Sequence, residues 1–243
     1  MKNRILLSSA FGAVLLALAS CTTESISSDY QNGGARRYNQ PVVAQPSWTG
    51  GELSEADLIG ISGEGEITQE KIATAVRDRS FLLHPGSRVM LLQSGAPVPD
   101  QEMMDAFARN YTVIPMDGQR PVDAPKRMDL SLRLRAAGGG VDTIVVVWGV
   151  LESTEKNNAG SAVLWVPIVG MFVPDTTKMM RIRLRALVLD VKTGSWDVVI
   201  PEIFTSDVTS SGLRSDYNFT RQKLELKKKA YNDLAAKLAD KFR

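Results

Sequence analysis

Apolar and polar positions beyond residue 52 switch several times between a helical and a strand-like period. Ile72, Ala75 and Val76 recur at helical spacing within 68–79, and Thr68 stands where an N-cap is needed. The run SRVMLLQ, Ser87 to Gln93, lies between Pro85-Gly86 and Gly95 and predicts a buried strand. Asp100 then opens a helix reaching Asn110, with Met103, Met104, Phe107 and Ala108 on its apolar side, and Tyr111 to Met116 predicts a second strand. In Met128 to Ala137, Met128, Leu130, Leu132 and Leu134 alternate as in a strand. The absence of β-branched residues and the stop at Gly138-Gly139-Gly140 favour a helix, and a helix is expected here.

Asp142 to Glu152 contains TIVVVWGVL, the clearest strand pattern in the chain, with polar residues 153–160 expected to turn it. From Thr177 to Val191, Ile182, Leu184, Ala186 and Val188 share one face while Arg181, Arg183 and Arg185 share the other. Lys192-Thr193-Gly194-Ser195 makes a hairpin loop and Trp196 to Asp207 returns. Leu224, Tyr231, Leu234, Ala235, Leu238 and Phe242 give Phe219 to Phe242 the pattern of a long amphipathic helix. The order is β-α-β-α-β, then antiparallel hairpins, then a closing helix. Strands joined through a helix pair in parallel and strands joined by tight loops pair antiparallel. The expected fold is therefore a single α/β (α+β) domain over 52–243, with a mixed sheet and a long C-terminal helix.

The pattern is different before residue 52. Residues 22–50 are rich in Ser, Thr, Gln, Asn, Gly and Pro and show no apolar period, so 21–51 reads as a flexible tether. Ahead of it, Lys2 and Arg4 precede the apolar stretch Ile5 to Ala19, too short for the roughly 20 residues of a membrane-spanning helix. This is the layout of a secretory signal over 1–20. It ends in Leu18-Ala19-Ser20-Cys21, which resembles the lipobox of bacterial lipoproteins. That resemblance implies cleavage between Ser20 and Cys21, a diacylglyceryl group on the Cys21 thiol, and acylation of the new amine. More than one acyl chain anchors a protein stably. Thr22 after the cysteine implies the outer membrane, facing the periplasm.

Charge and composition remove whole classes of function. The chain has one Cys and one His among 243 residues, so no internal disulfide, Cys/His zinc cluster or two-histidine metal site is available. The formal charge of +2 comes from Lys2 and Arg4; without residues 1–20 there are 27 basic and 27 acidic residues. A neutral mature chain gives no electrostatic case for nucleic-acid binding. There is no GxSxG, P-loop or GxGxxG, and the glycine triplet 138–140 reads as a loop. His84 lies at a strand entry without a motif-placed nucleophile, and the pairs Glu64/Glu66 and Glu152/Glu155 have no sugar cleft assigned to them. No cofactor, no metal and no enzymatic activity are expected.

Three features are candidates for binding. Ser161 to Val173 reads SAVLWVPIVGMFV; it suits either buried core or an exposed hairpin edge presenting Trp165, Pro167, Ile168, Met171 and Phe172. Pro167 cannot donate to a sheet ladder, which points to an edge or a bulge. Arg181, Arg183 and Arg185 line one sheet face, either solvated or meeting acidic lipid, glycan or the carboxylates of a partner. Lys227-Lys228-Lys229 reads as a solvated helix face.

Taken together, Cys21, the polar tether, SRVMLLQ, TIVVVWGVLES, RALVLDVKTGSWDVV and KKAYNDLAAKLADKF resemble a group of bacterial envelope lipoproteins. The group includes the curli-secretion lipoprotein CsgG and the synthase activator LpoB, and the TolB amino-terminal domain shares its fold. The resemblance covers about 85–243 and brings no catalytic motif. The sequence reading finds no pair of long alternating strands of the kind a CsgG-like pore needs. The expected role is a non-enzymatic accessory or assembly module docking onto another envelope protein. The alternatives are a self-assembling homo-oligomeric ring or secretion pore, and a cell-wall or lipid hydrolase.

Overall fold

The computed structural model describes residues 21–31, 51–60, 68–77, 83–157, 176–210 and 215–242. Seven strands form one mixed sheet in the order β3-β2-β4-β5-β6, with β1 on β4 and β7 on β5. The strands are β1 (Cys21–Ser25), β2 (Arg88–Gln93), β3 (Thr112–Met116), β4 (Thr143–Asn157), β5 (Thr176–Asp190), β6 (Trp196–Val199) and β7 (Phe204–Ser210). The helices are α1 (Ser28–Gln31), α2 (Glu55–Ile59), α3 (Gln69–Arg77), α4 (Gln101–Phe107), α5 (Met128–Gly138) and α6 (Ser215–Lys241). β2 runs parallel to β3 and to β4, because α4 and α5 carry the chain across between them. β4 pairs antiparallel with β5 along fifteen residues of each, from Thr143↔Asp190 to Asn157↔Thr176.

Two apolar cores lie on opposite faces of the sheet. Val89, Leu91, Val145 and Val147 meet Met103 and Phe107 of α4 and Tyr231, Leu234 and Leu238 of α6. Met90, Leu92, Ile144, Val146 and Leu187 meet Met128, Leu132 and Ala136 of α5, with Leu53 and Leu58. The segment expected to be helical is thus a helix: positions 128, 132 and 136 turn inward while Leu130 and Leu134 are exposed. β3 carries Pro115 and forms an edge of the sheet, where a missing N–H does no harm.

Coverage of the sheet is legible in β5. Ala186 to Leu189 are all buried, since helices lie on both faces there. From Met180 to Arg185, buried Met180, Ile182 and Leu184 alternate with exposed Arg181, Arg183 and Arg185. At that end α6 covers one face, and the arginines on the other stay about half-exposed.

The structure corrects the sequence reading in four places. Within the expected tether, Cys21–Ser25 is a strand antiparallel to β4, followed by buried Ile26, Ser27 and Ser28 and by α1, so this part of it is folded. β4 does not turn at residue 153 but continues to Asn157, which gives the chain a long strand pair. In α6, Leu224 is exposed, and the buried stripe is Leu226, Lys227, Ala230, Tyr231, Leu234, Ala235 and Leu238. Finally, Ile72 and Val76 of α3 are exposed rather than packed on the core. The signal segment 1–20, residues 32–50 and Ser161 to Val173, with Trp165, Pro167, Ile168, Met171 and Phe172, lie outside the described residues.

Candidate functional site

Cys21 opens β1, and the ladder places it opposite Thr154 of β4, with Thr23 opposite Glu152 and Ser25 opposite Val150. β1 is polar on the outside, and its hold on the domain comes at its exit. The Ile26 N–H donates to the Gly149 carbonyl at 3.0 Å, and the Ile26 side chain is fully buried. Gly149 allows this approach, because a Cβ there would lie 2.8 Å from Ile26 Cγ2 and 2.5 Å from Leu184 Cδ2. Lys223 of α6 donates to Glu24 at 2.7 Å and to Asp29 at 3.1 Å. Burial pulls the Lys223 pKa down, but the Glu24 hydrogen bond and the Asp29 and Glu24 charges outweigh it and hold the ammonium above its ordinary value.

Behind β1 lies a buried polar cluster that the sequence reading missed. Asp100 occupies the N-cap position of α4 but makes no side-chain cap bond. Its carboxylate instead accepts from Lys227 Nζ at 2.9 Å, from the Tyr231 hydroxyl at 2.7 Å and from the Tyr30 hydroxyl at 3.2 Å. Lys227 also donates to the Ile26 carbonyl at 2.7 Å. Gln93 accepts from the Asp100 N–H at 2.8 Å and donates to Ser27 Oγ at 3.1 Å, and Ser27 Oγ donates to the Ser94 carbonyl at 2.6 Å. Burial, then the charge and hydrogen bond of Asp100, push the Tyr231 hydroxyl well above its usual pKa, so it stays a donor. Lys227, expected on a solvated face, is therefore an interior residue. The signal for it is its position one turn before Tyr231, inside the apolar stripe. The contacts of Asp100, Lys227 and Tyr231 fasten three distant chain segments together.

The arginine row lies on the sheet face opposite α6. Glu152 accepts from both Arg181 and Arg183, and Arg185 pairs with Glu55. The Arg181 hydrogen bond leads the effects that hold the Glu152 carboxyl below its ordinary value. The arginines keep 45–52% of their side-chain surface exposed. Neighbouring Trp148 and Val150 are half-buried, and Met179 is 53% exposed. A shallow hollow of about 210 Å³ opens beside Trp148, Val150, Arg183 and Arg185. These arginines thus have carboxylate partners from the chain itself and remain about half in water.

His84 is exposed in a turn where its N–H donates to Ser87 Oγ at 3.1 Å. Glu64 and Glu66 lie outside the described residues. Among the described residues, no three His, Cys, Asp or Glu side chains are grouped so as to hold a metal ion, and no described helix is long and apolar enough to cross a membrane.

The fold is a mixed α/β domain whose first strand begins at Cys21. The sequence pattern of the family described as YafT bacterial lipoprotein matches residues 54–241, and the chain belongs to that family. It is thus a bacterial lipoprotein, a class associated with the cell envelope. No curated protein matches it. Among solved structures, a minor lipoprotein from Acinetobacter baumannii is 13% identical, covers 66% of this chain and 92% of its own, and superposes with a TM-score of 0.27. The hypothetical protein CT253 from Chlamydia trachomatis is 11% identical, covers 64% of this chain and 96% of its own, with a TM-score of 0.30. The family match establishes the lipoprotein class.

Proposed function

We propose that this lipoprotein is cut between Ser20 and Cys21, acylated at Cys21, and held at the periplasmic face of the outer membrane. There it serves as a non-enzymatic accessory or assembly module that docks onto another envelope protein. The observation that carries this reading is the arginine face of β4 and β5. It combines three half-exposed guanidinium groups with half-buried Trp148 and Val150. Glu152 and Glu55 fix the guanidinium planes, and each retains donors for a partner carboxylate. Aromatic and arginine residues around a desolvated patch are the composition of an interface centre.

In-cell photo-crosslinking of the full-length protein tests it, with the crosslinker at Thr205 beside Arg181, and at Lys192 as a distant control. One recurrent envelope protein captured from Thr205, absent from Lys192 and lost on changing Arg181, Arg183 and Arg185 to Ala, is the expected result. Capture of the chain itself alone, at a discrete multiple of its mass, would replace this reading with the ring or pore. Turnover of wall fragments or lipid esters that disappears in His84→Ala would replace it with the hydrolase.

A further inference from the structure

The register of β1 has a consequence for how the domain meets the bilayer. No residue separates Cys21 from β1, because the strand begins at Cys21 itself. Pairing across the sheet runs Cys21↔Thr154, Thr154↔Met179, Met179↔Asp207. Neighbouring strands are about 4.8 Å apart, so this row is about 15 Å long. From Met179 the same strand runs to Asp190, and at about 3.3 Å per residue the Lys192–Ser195 loop stands more than roughly 35 Å away.

The anchoring strand is also firmly held. Five ladder pairs, the buried Ile26 side chain and the contacts of Lys223 and Lys227 from α6 tie residues 21–30 to the domain. β4 leaves and β5 returns three residues beyond the Cys21 row, at Asn157 and Thr176. β4 thus ends and β5 begins at the same end of the sheet as Cys21, and the sequence between them has no charged residue from Asn158 to Pro174.

We infer that this end of the sheet is a bilayer-facing surface: the row Cys21–Thr154–Met179–Asp207 is held at the lipid headgroups, and the Lys192–Ser195 loop points away from the membrane. The inference rests on lipidation of Cys21 and adds an orientation to it. A conventional tether would let the domain tumble; a strand that starts at the acylated residue does not. Two different surfaces follow, one end for lipid and one face for protein.

The only native cysteine is consumed by the thioether, so a single introduced cysteine is unique in the mature protein. Lipidated full-length Met179→Cys and Lys192→Cys, both at exposed positions, are labelled with a small fluorophore. They are reconstituted in phosphatidylethanolamine/phosphatidylglycerol vesicles carrying nitroxide headgroup lipid. Loss of most of the fluorescence at position 179, with none at 192, is the expected result. Protein that floats with the vesicles but is quenched equally at both positions, or more at 192, overturns the orientation and leaves the anchor standing. Protein that does not float and retains a titratable Cys21 thiol overturns the anchor and the orientation with it. A circular dichroism spectrum unchanged from the unsubstituted protein shows that each variant has folded.

Discussion

Asp100 carries more of the structure than its place at a helix start indicates. A carboxylate there normally accepts from the first free N–H groups of its own helix. Here it serves Lys227, Tyr231 and Tyr30 instead. Removing one partner of a buried charge pair costs far more than removing an exposed one, because the other charge keeps its desolvation penalty. Lys227→Ala is therefore expected to lower unfolding stability by about 3–5 kcal/mol. Tyr231→Phe, which deletes one donor to a charged acceptor, should cost about 2 kcal/mol. Urea unfolding of the three proteins checks both; a Lys227→Ala loss no greater than that of an exposed Lys228→Ala control would contradict the cluster's role. Lys223 adds a pH signature. Its folded pKa lies above the ordinary lysine value. Its contribution is fully present below about pH 10.5 and fades as pH rises through the folded value. The stability gap between the unsubstituted protein and Lys223→Met should be flat from neutral pH to about pH 10 and narrow above it. None of these residue roles was legible in the sequence: lysines at 227–229 look alike until the helix phase is set by what it packs against.

At the scale of elements, β1 is the least expected piece. CTTES has one acid and no large apolar residue, so its pattern is that of a linker. Its strand form depends on β4 extending past residue 153 to offer an edge, and on the single apolar residue Ile26 entering a core built by other segments. Truncating a buried Ile to Ala costs about 2–5 kcal/mol. Ile26→Ala should spend that cost mainly in releasing residues 21–31. Amide hydrogen exchange is expected to accelerate in Thr22 to Ser25 and in the paired Val150 to Thr154, while β2 and the Thr143 end of β4 keep their protection. Uniform acceleration across the sheet would mean that β1 is integral to the whole fold instead. The small helix α2 shows the same dependence on context. Its C-cap Gly60 has φ +66°, and a Cβ there would lie 2.6 Å from Asp129 Oδ2. A left-handed L-residue costs about 1–2 kcal/mol before that clash is counted. Gly60→Ala should therefore lower the melting temperature, and Asp129→Asn should not restore it.

For the whole molecule, Cys21 is part of the folded domain, because β1 starts at that residue and pairs with β4. Cys21→Ala is expected to move the protein from the membrane fraction to the soluble fraction while leaving its melting temperature nearly unchanged, because the ladder from Thr22 to Ser25 is made by backbone groups. Membrane retention of Cys21→Ala would place the anchor elsewhere in the chain.

The mixed α/β class, the parallel and antiparallel strand pairs and the closing helix were all legible in the sequence, because each is local. Periodicity, a turn residue or a short motif is complete within a dozen positions. The helix at Met128 to Gly138 belongs here too, since its composition and glycine stop outweighed an alternating pattern. Tertiary structure alone decided that β1 joins the sheet, that Lys227 lies inside, and that Arg181, Arg183 and Arg185 face water beside Glu152 and Glu55. Each of these joins groups from segments far apart in the chain. Whether a polar residue ends up inside or out depends on partners whose position no local pattern encodes.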